Sequence, residues 1–306
     1  MNMSAHPRPS VSIIINCFNG AKYLSESIDS VLAQTFKDWE LILWDNRSTD
    51  ESAKIFKSHS DSRFHYHLAV EHVPLGEARN LAASLASGEW IAFLDCDDMW
   101  HPHKLQLQMD RIARGDQNLG LVYGNTGFVH GSNSRSVRYS TTQFYGFRSL
   151  PEGEIFRILC DMNFIPLVSG LIRKSMFIQV GGLSSYLKQC EDYEMFLKIA
   201  RISKVAAVNE VCCYYRLHDS NLTLSQPELS YLESIHILKQ FPNDPQVSKS
   251  ISKWKVQFML WVLRKRKVRY FLRVVPYALT YQVFGVVSKI LIQKVRQKFF
   301  VLARDQ

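Results

Sequence analysis

Four short apolar runs, Val11 to Ile15, Glu40 to Trp44, Phe64 to Leu68 and Trp90 to Leu94, alternate with stretches of helical periodicity along the first third of the chain. The first run leads through Asn19-Gly20 into a helix with Leu24, Ile28, Val31 and Leu32 on one face. The second closes on the polar turn Asp45-Asn46-Arg47-Ser48-Thr49-Asp50 and a further helix. Strands of this length, rich in large apolar residues and separated by helices, predict an α/β fold with a mainly parallel central sheet and helices on both faces. In such sheets ligands bind outside the carboxyl ends of the strands. That rule gathers Asn16 to Asn19, Asp45 to Asp50 and Asp95 to Asp98 onto one edge, although they are far apart in the chain.

Asp95-Cys96-Asp97-Asp98 follows the fourth run directly. Three carboxylates at the end of a buried strand repel one another unless a positive charge sits between them. Hard oxygen ligands suit Mg²⁺ or Mn²⁺, and such a cation is usually held by one or two carboxylates together with substrate phosphates. A divalent metal carrying a diphosphate is therefore the expected occupant.

Beyond Leu121 the pattern weakens into short β-like pieces and Gly- or Ser-containing loops. Regularity returns at Val168 to Ile172 and in a helix from Glu191 to about Ala200, with Tyr193, Phe196, Leu197 and Ala200 on its buried face. Residues 222–250 read as a linker or loosely packed helical segment. The six cysteines show neither Cys-x-x-Cys nor Cys/His ligand spacing and read as reduced structural thiols. Met1 to Ser10 has no apolar core of the kind a signal peptide needs.

Several ordered motifs resemble the family 2 inverting glycosyltransferases, with their Rossmann-like GT-A fold. The resemblance runs from Val11 to about Leu224. It rests on Val-Ser-Ile-Ile-Ile-Asn-Cys-Phe-Asn-Gly, Asp45 to Asp50, Gly76-Glu77-Ala78-Arg79-Asn80, Leu94 to Trp100, Gly181-Gly182, Glu191-Asp192 and Tyr215-Arg216-Leu217-His218. It implies that Asn16, Phe18 and Asn19 contact the nucleotide, that Asp45 and Asn46 read the base, and that Arg79 reaches a diphosphate or base. Asn46 departs from the commoner second Asp, adding a donor and removing a charge. By the same resemblance Asp97 ligates the metal, Asp98 ligates it or fixes the loop, and Asp95 binds ribose or a metal-bound water. His218 lies near the diphosphate. Asp192 is the implied catalytic base, although acids there also suit the positive end of a helix dipole.

Charge is unevenly spread. Between Lys249 and Arg304 there are fourteen Lys and Arg and no acid, so residues 249–306 carry +13 and the rest of the chain −4. Trp254, Phe258, Trp261 and Val262 recur at helical spacing beside Lys253 and Lys255, ahead of Arg264-Lys265-Arg266-Lys267-Val268-Arg269. Aromatics with a dense cationic border suit a helix in the headgroup layer of an anionic membrane, and their apolar content exceeds what nucleic-acid binding requires. Val274 to Val287 falls short of the roughly 20 residues of a spanning helix.

The expected organisation is a GT-A catalytic domain over 1–225, a linker or loosely packed helical segment over 226–250 and a basic amphipathic membrane-associating tail over 251–306. The expected enzyme is cytoplasmic and peripheral on the inner face of the membrane. It uses Mn²⁺ or Mg²⁺ and a UDP-sugar in preference to dTDP- or GDP-sugars, and its acceptor is a glycan or lipid-linked hydroxyl. The competing readings are a nucleotide-sugar pyrophosphorylase, for which Asn16 to Gly20 lacks a basic Gly-rich triphosphate loop, and an inactive adaptor.

Overall fold

The computed structural model describes residues 8–115, 118–130, 138–140, 149–218, 221 and 226–264. The strands are β1 Val11–Cys17, β2 Trp39–Asp45, β3 Phe64–Leu68, β4 Trp90–Asp95, β5 Met99–Trp100, β6 Leu119–His130, β7 Arg138–Ser140, β8 Gly170–Arg173 and β9 Lys204–Leu217. The helices are α1 Leu24–Leu32, α2 Ser52–Lys57, α3 Leu75–Ser84, α4 Lys104–Ala113, α5 Phe156–Asp161, α6 Lys174–Gln179, α7 Glu191–Ile202, α8 Pro227–Leu238 and α9 Pro245–Arg264.

All of these strands join one sheet, in the order β3-β2-β1-β4-β8-β6-β9-β5, with β7 beside β6. The β3-β2-β1-β4 block is parallel, as expected. β8 enters antiparallel between β4 and β6, and β9 runs parallel to β6. Both faces of β1 are buried because helices cover both. Ile13, Ile15, Leu41, Leu43 and Leu94 share a core with Leu24, Ile28 and Val31 of α1, while α3 packs on β1 and β2. Side chains alternate across a strand, so Phe93 falls on the opposite face, where its ring meets Phe177 of α6.

β6 corrects the expectation of short β-like pieces after Leu121. It is a twelve-residue strand, buried from Leu119 to Gly127. Gly and Asn interrupt its apolar run, and register shifts against β9 around Asn125 break the alternation that a sequence pattern relies on.

The chain divides into two compact units at Ser225/Gln226. The second holds α8 and α9, and α9 continues through residue 250 without a break. Trp254, Phe258 and Val262 are buried, and Tyr231 of α8 stacks with Phe258 and contacts Trp254 and Trp261. Part of the aromatic face expected against a membrane therefore packs on Tyr231, while Trp261 stays half-buried. No described helix is long and apolar enough to cross a membrane. The expectations for 265–306, including the Val274 to Val287 segment, lie outside the described residues.

Candidate functional site

The carboxyl ends of β1, β2 and β4 are level, with Asn16 opposite both Trp44 and Asp95, and Cys17 opposite Asp45. The Asp95 to Asp98 turn closes with the Asp98 N–H donating to the Asp95 carbonyl at 3.1 Å. Its three carboxylates then diverge. Asp95 pairs with Arg79. Asp97 faces His218, with Oδ2 2.8 Å from Nε2. Burial, followed by the charge of Asp95, raises the pKa of Asp97, and His218 opposes that rise.

Asp98 is turned inward and is 1% exposed. Its Oδ1 accepts the Arg216 N–H at 2.8 Å, and burial together with Asp97 and Asp95 pushes its pKa well above the carboxylate range. Of the two expected metal ligands, Asp97 is therefore the one open to solvent, and Asp98 fixes the loop. Arg216 supports the turn from behind. Its Nε donates to the Asp97 carbonyl at 2.7 Å, Nη2 pairs with Glu26 at 2.8 Å, and the guanidinium lies over Tyr23.

The β1 and β2 loops use several expected nucleotide contacts to hold themselves together. Asp45 is buried, accepting the Ser48 N–H at 2.7 Å and the Tyr66 hydroxyl at 2.6 Å. The Asn46 amide donates to the Val73 carbonyl at 2.8 Å and accepts the Val73 N–H at 3.2 Å. Asn19 accepts the Thr49 N–H at 2.8 Å. Phe18 remains 51% exposed beside His72, with ring centroids 4.4 Å apart. Asn16 is buried, and both polar atoms of its amide lack a protein partner, as does the indole N–H of neighbouring Trp44.

On the opposite side of the edge, Arg79 projects from α3 between two carboxylates. It pairs with Asp95 and, at 2.6 Å, with Glu191 at the start of α7. Arg79 thus bridges the end of β4 to α7, where it was expected to reach for a ligand. The bridge depends on close docking of α3. A Cβ on Gly76 would stand 2.1 Å from the Ser184 carbonyl, and the Asn80 amide clasps Leu183, donating to its carbonyl at 2.7 Å and accepting its N–H at 2.9 Å. Glu191 and Asn80 stood in motifs the sequence already displayed, but their roles as partners of Arg79 and Leu183 did not. Their signal was the pairing of Ala-Arg-Asn with Gly-Gly, whose contact no spacing rule anticipates.

Asp192 follows Glu191 and accepts the Tyr193 N–H at 2.6 Å. Its pKa is pushed up to about 7, first by burial and then by the charge of Glu191, with Arg79 opposing. A carboxylate poised near neutrality can take a proton in a reaction at physiological pH. Among the described residues no group of three or more His, Cys, Asp or Glu gathers to hold a metal. The Asp97–His218 pair nonetheless suits a cation that takes its remaining ligands from a diphosphate, since a positive charge would relieve the Asp95–Asp97 repulsion.

The family described as Glycosyl transferase family 2 matches residues 12–179, more than half of the chain. The chain is 31% identical over 216 residues to the UDP-Glc:alpha-D-GlcNAc-diphosphoundecaprenol beta-1,3-glucosyltransferase WfgD of Escherichia coli, covering 70% of this chain and 79% of that one. It spans 66%, just under two thirds, of two rickettsial relatives that are uncharacterized glycosyltransferases. Among solved structures it is similar to Staphylococcus aureus TarS 1–349 in complex with UDP-GlcNAc, with a TM-score of 0.64 at 19% identity, covering 82% of this chain and 72% of that one. It is also similar to a Pyrobaculum calidifontis mannosyltransferase in complex with GDP-Man and Mn²⁺, with a TM-score of 0.62 at 16% identity, covering 94% and 81%. These likenesses show the GT-A-type fold.

Proposed function

Since the chain belongs to glycosyl transferase family 2, we propose that it moves a sugar, with inversion, from a nucleotide diphosphate sugar to a hydroxyl of a lipid-linked glycan, with Asp192 as the base. The observation that carries this reading is the Arg79 bridge. It draws the start of α7 to the Asp95 turn, so the carboxylate raised to about 7 stands beside the edge where a donor binds. Asp192 takes the proton of the acceptor hydroxyl as its oxygen attacks the anomeric carbon, and the bond from that carbon to the diphosphate breaks. Asp97 and His218 would hold Mn²⁺ or Mg²⁺, which when bound offsets the charge on the departing diphosphate. Arg79, neutralised by Asp95 and Glu191, keeps the two halves of the site in register.

A UDP-sugar is the proposed donor. WfgD is named for UDP-Glc and TarS was solved with UDP-GlcNAc, and the exposed Phe18 ring beside His72 offers a base a stacking surface. A panel of UDP-, dTDP- and GDP-sugars with Mn²⁺, read by nucleotide release and by NMR of the transferred anomer, tests the whole reading. Release of UDP with an inverted product is expected. Retention of configuration, or release from no donor, overturns it.

The lipid-linked acceptor and a peripheral position on an anionic membrane rest on charge. With part of the aromatic face of α9 packed on Tyr231, attraction to anionic lipid falls to the cations, each worth about 1 kcal/mol near the surface. Reversing Arg264, Lys265, Arg266 and Lys267 to Glu in the full chain is expected to weaken co-sedimentation with vesicles in proportion to their anionic lipid content. Equal binding of wild type to neutral and anionic vesicles would remove the electrostatic account.

A further inference from the structure

The fold brings together two thiols that the sequence keeps far apart. β1 and β4 are parallel neighbours in register as far as Asn16 opposite Asp95, and Cys17 and Cys96 are the next residue on each. Neighbouring strands lie about 4.8 Å apart, within the roughly 4.4–6.8 Å between Cα atoms that a disulfide spans. The sulfurs converge as well as the backbones. A Cβ placed on Gly20 would stand 2.7 Å from the Cys96 Sγ and 2.9 Å from the Cys17 Sγ, so both crowd around one point that only glycine leaves free. Cys17 is buried and Cys96 partly exposed, whereas Cys160, Cys190, Cys212 and Cys213 are all buried.

We propose that Cys17 and Cys96 are a modification site, an oxidisable dithiol whose reversible disulfide disables the donor edge. Its consequence for donor use rests on the glycosyltransfer reading above. The hydrogen bond between the two thiols, aided by Ser52, the Gly20 N–H and Ser48, lowers the Cys17 thiol to about 7 against its burial, and the same bond together with burial raises that of Cys96, whereas burial pushes the Cys212 thiol up to about 12. A thiol of lowered pKa beside a second thiol can close a disulfide through a sulfenic acid, and the partly exposed Cys96 side gives the buried Cys17 its opening to solvent.

The oxidant is a hydroperoxide. The Cys17 thiolate takes the terminal oxygen of hydrogen peroxide as the O–O bond breaks and hydroxide leaves, giving a sulfenic acid. The Cys96 sulfur then attacks the Cys17 sulfur, the S–S bond forms, the S–O bond breaks and the oxygen departs as water. Two thiols lose two electrons, and one peroxide becomes two waters. Because Cys96 stands between Asp95 and Asp97, drawing its sulfur to bonding distance re-aims the turn that carries Asp97. Cys17, which precedes Phe18 and Asn19, is tied to the same point. A small misplacement of reacting groups costs orders of magnitude in turnover.

The test treats the full chain with graded hydrogen peroxide, blocks free thiols with iodoacetamide and maps peptides without reduction. A Cys17–Cys96 linked peptide is expected, appearing in step with a loss of UDP-sugar turnover of about tenfold or more and reversed by dithiothreitol. Cys17→Ser and Cys96→Ser, each compared with its own untreated sample, are expected to keep their turnover in peroxide. Absence of the linked peptide overturns the proposal. So does a linked peptide with undiminished turnover, or a Cys17→Ser chain that remains as sensitive as wild type. The linked peptide is read by mass, so the dithiol stands or falls even where no donor is turned over, and that second failure would count against the glycosyltransfer reading alone.

Discussion

The Asp192→Asn variant is expected to lose about 10²- to 10⁴-fold in turnover while binding its nucleotide-sugar donor within a few-fold of wild type. Asn keeps the shape of the side chain and an oxygen to accept the Tyr193 N–H, so the start of α7 is preserved. What it cannot do is take a proton. The pH profile sharpens the result. Asp192 must be ionised to act, and its pKa is raised to about 7, so turnover falls below that pH and levels off above it. Glu191 is one of the causes of the rise, so Glu191→Gln is expected to shift the descending limb to lower pH. Steady-state kinetics from pH 5.5 to 8.5, with donor affinity measured by calorimetry, check both. Unimpaired turnover in Asp192→Asn would remove this residue from the mechanism.

Removal of the cation is the second large effect. Chelation with EDTA is expected to suppress transfer, and added Mn²⁺ or Mg²⁺ to restore it. Asp97→Ala is expected to lower turnover about 10²- to 10³-fold, because a positive charge no longer meets the charge developing on the diphosphate. The same variant is expected to weaken binding of the free nucleoside diphosphate in the presence of Mn²⁺. Asp98→Asn provides the contrast. Asp98 is buried, and Asn keeps an oxygen to accept the Arg216 N–H, so this variant is expected to keep both its fold and its metal requirement. Full activity of wild type in EDTA would end the metal assignment.

The difference between Asp97 and Asp98 marks how far the sequence could be read. Three acids after an apolar run raise the expectation of a site, but adjacent residues on a turn point in different directions, and the packing of Arg216 beneath the loop goes with Asp98 being the carboxylate drawn inward. Asp45 and Asn46 repeat the lesson. Their place at the end of β2 was legible, yet Tyr66 and Val73 arrive from β3 and the segment after it and occupy them. The aromatic stripe of α9 was legible as an amphipathic face, and what covers that face was not.

The sequence alone determined the α/β architecture, the four parallel strands and the edge at which acids and amides collect, because those follow from local periodicity and from the rule that ligands meet strands at their carboxyl ends. Ordered motifs from Val11 to His218 likewise carried the family. Only the tertiary structure decided the partners. Arg79 between Asp95 and Glu191, Asn80 clasping Leu183, Asp97 against His218 and Cys17 beside Cys96 each join residues distant in the chain. Hydrogen bonds and ion pairs act over about 3 Å, and which groups come that close is set by how helices and strands pack, a relation that local pattern does not encode.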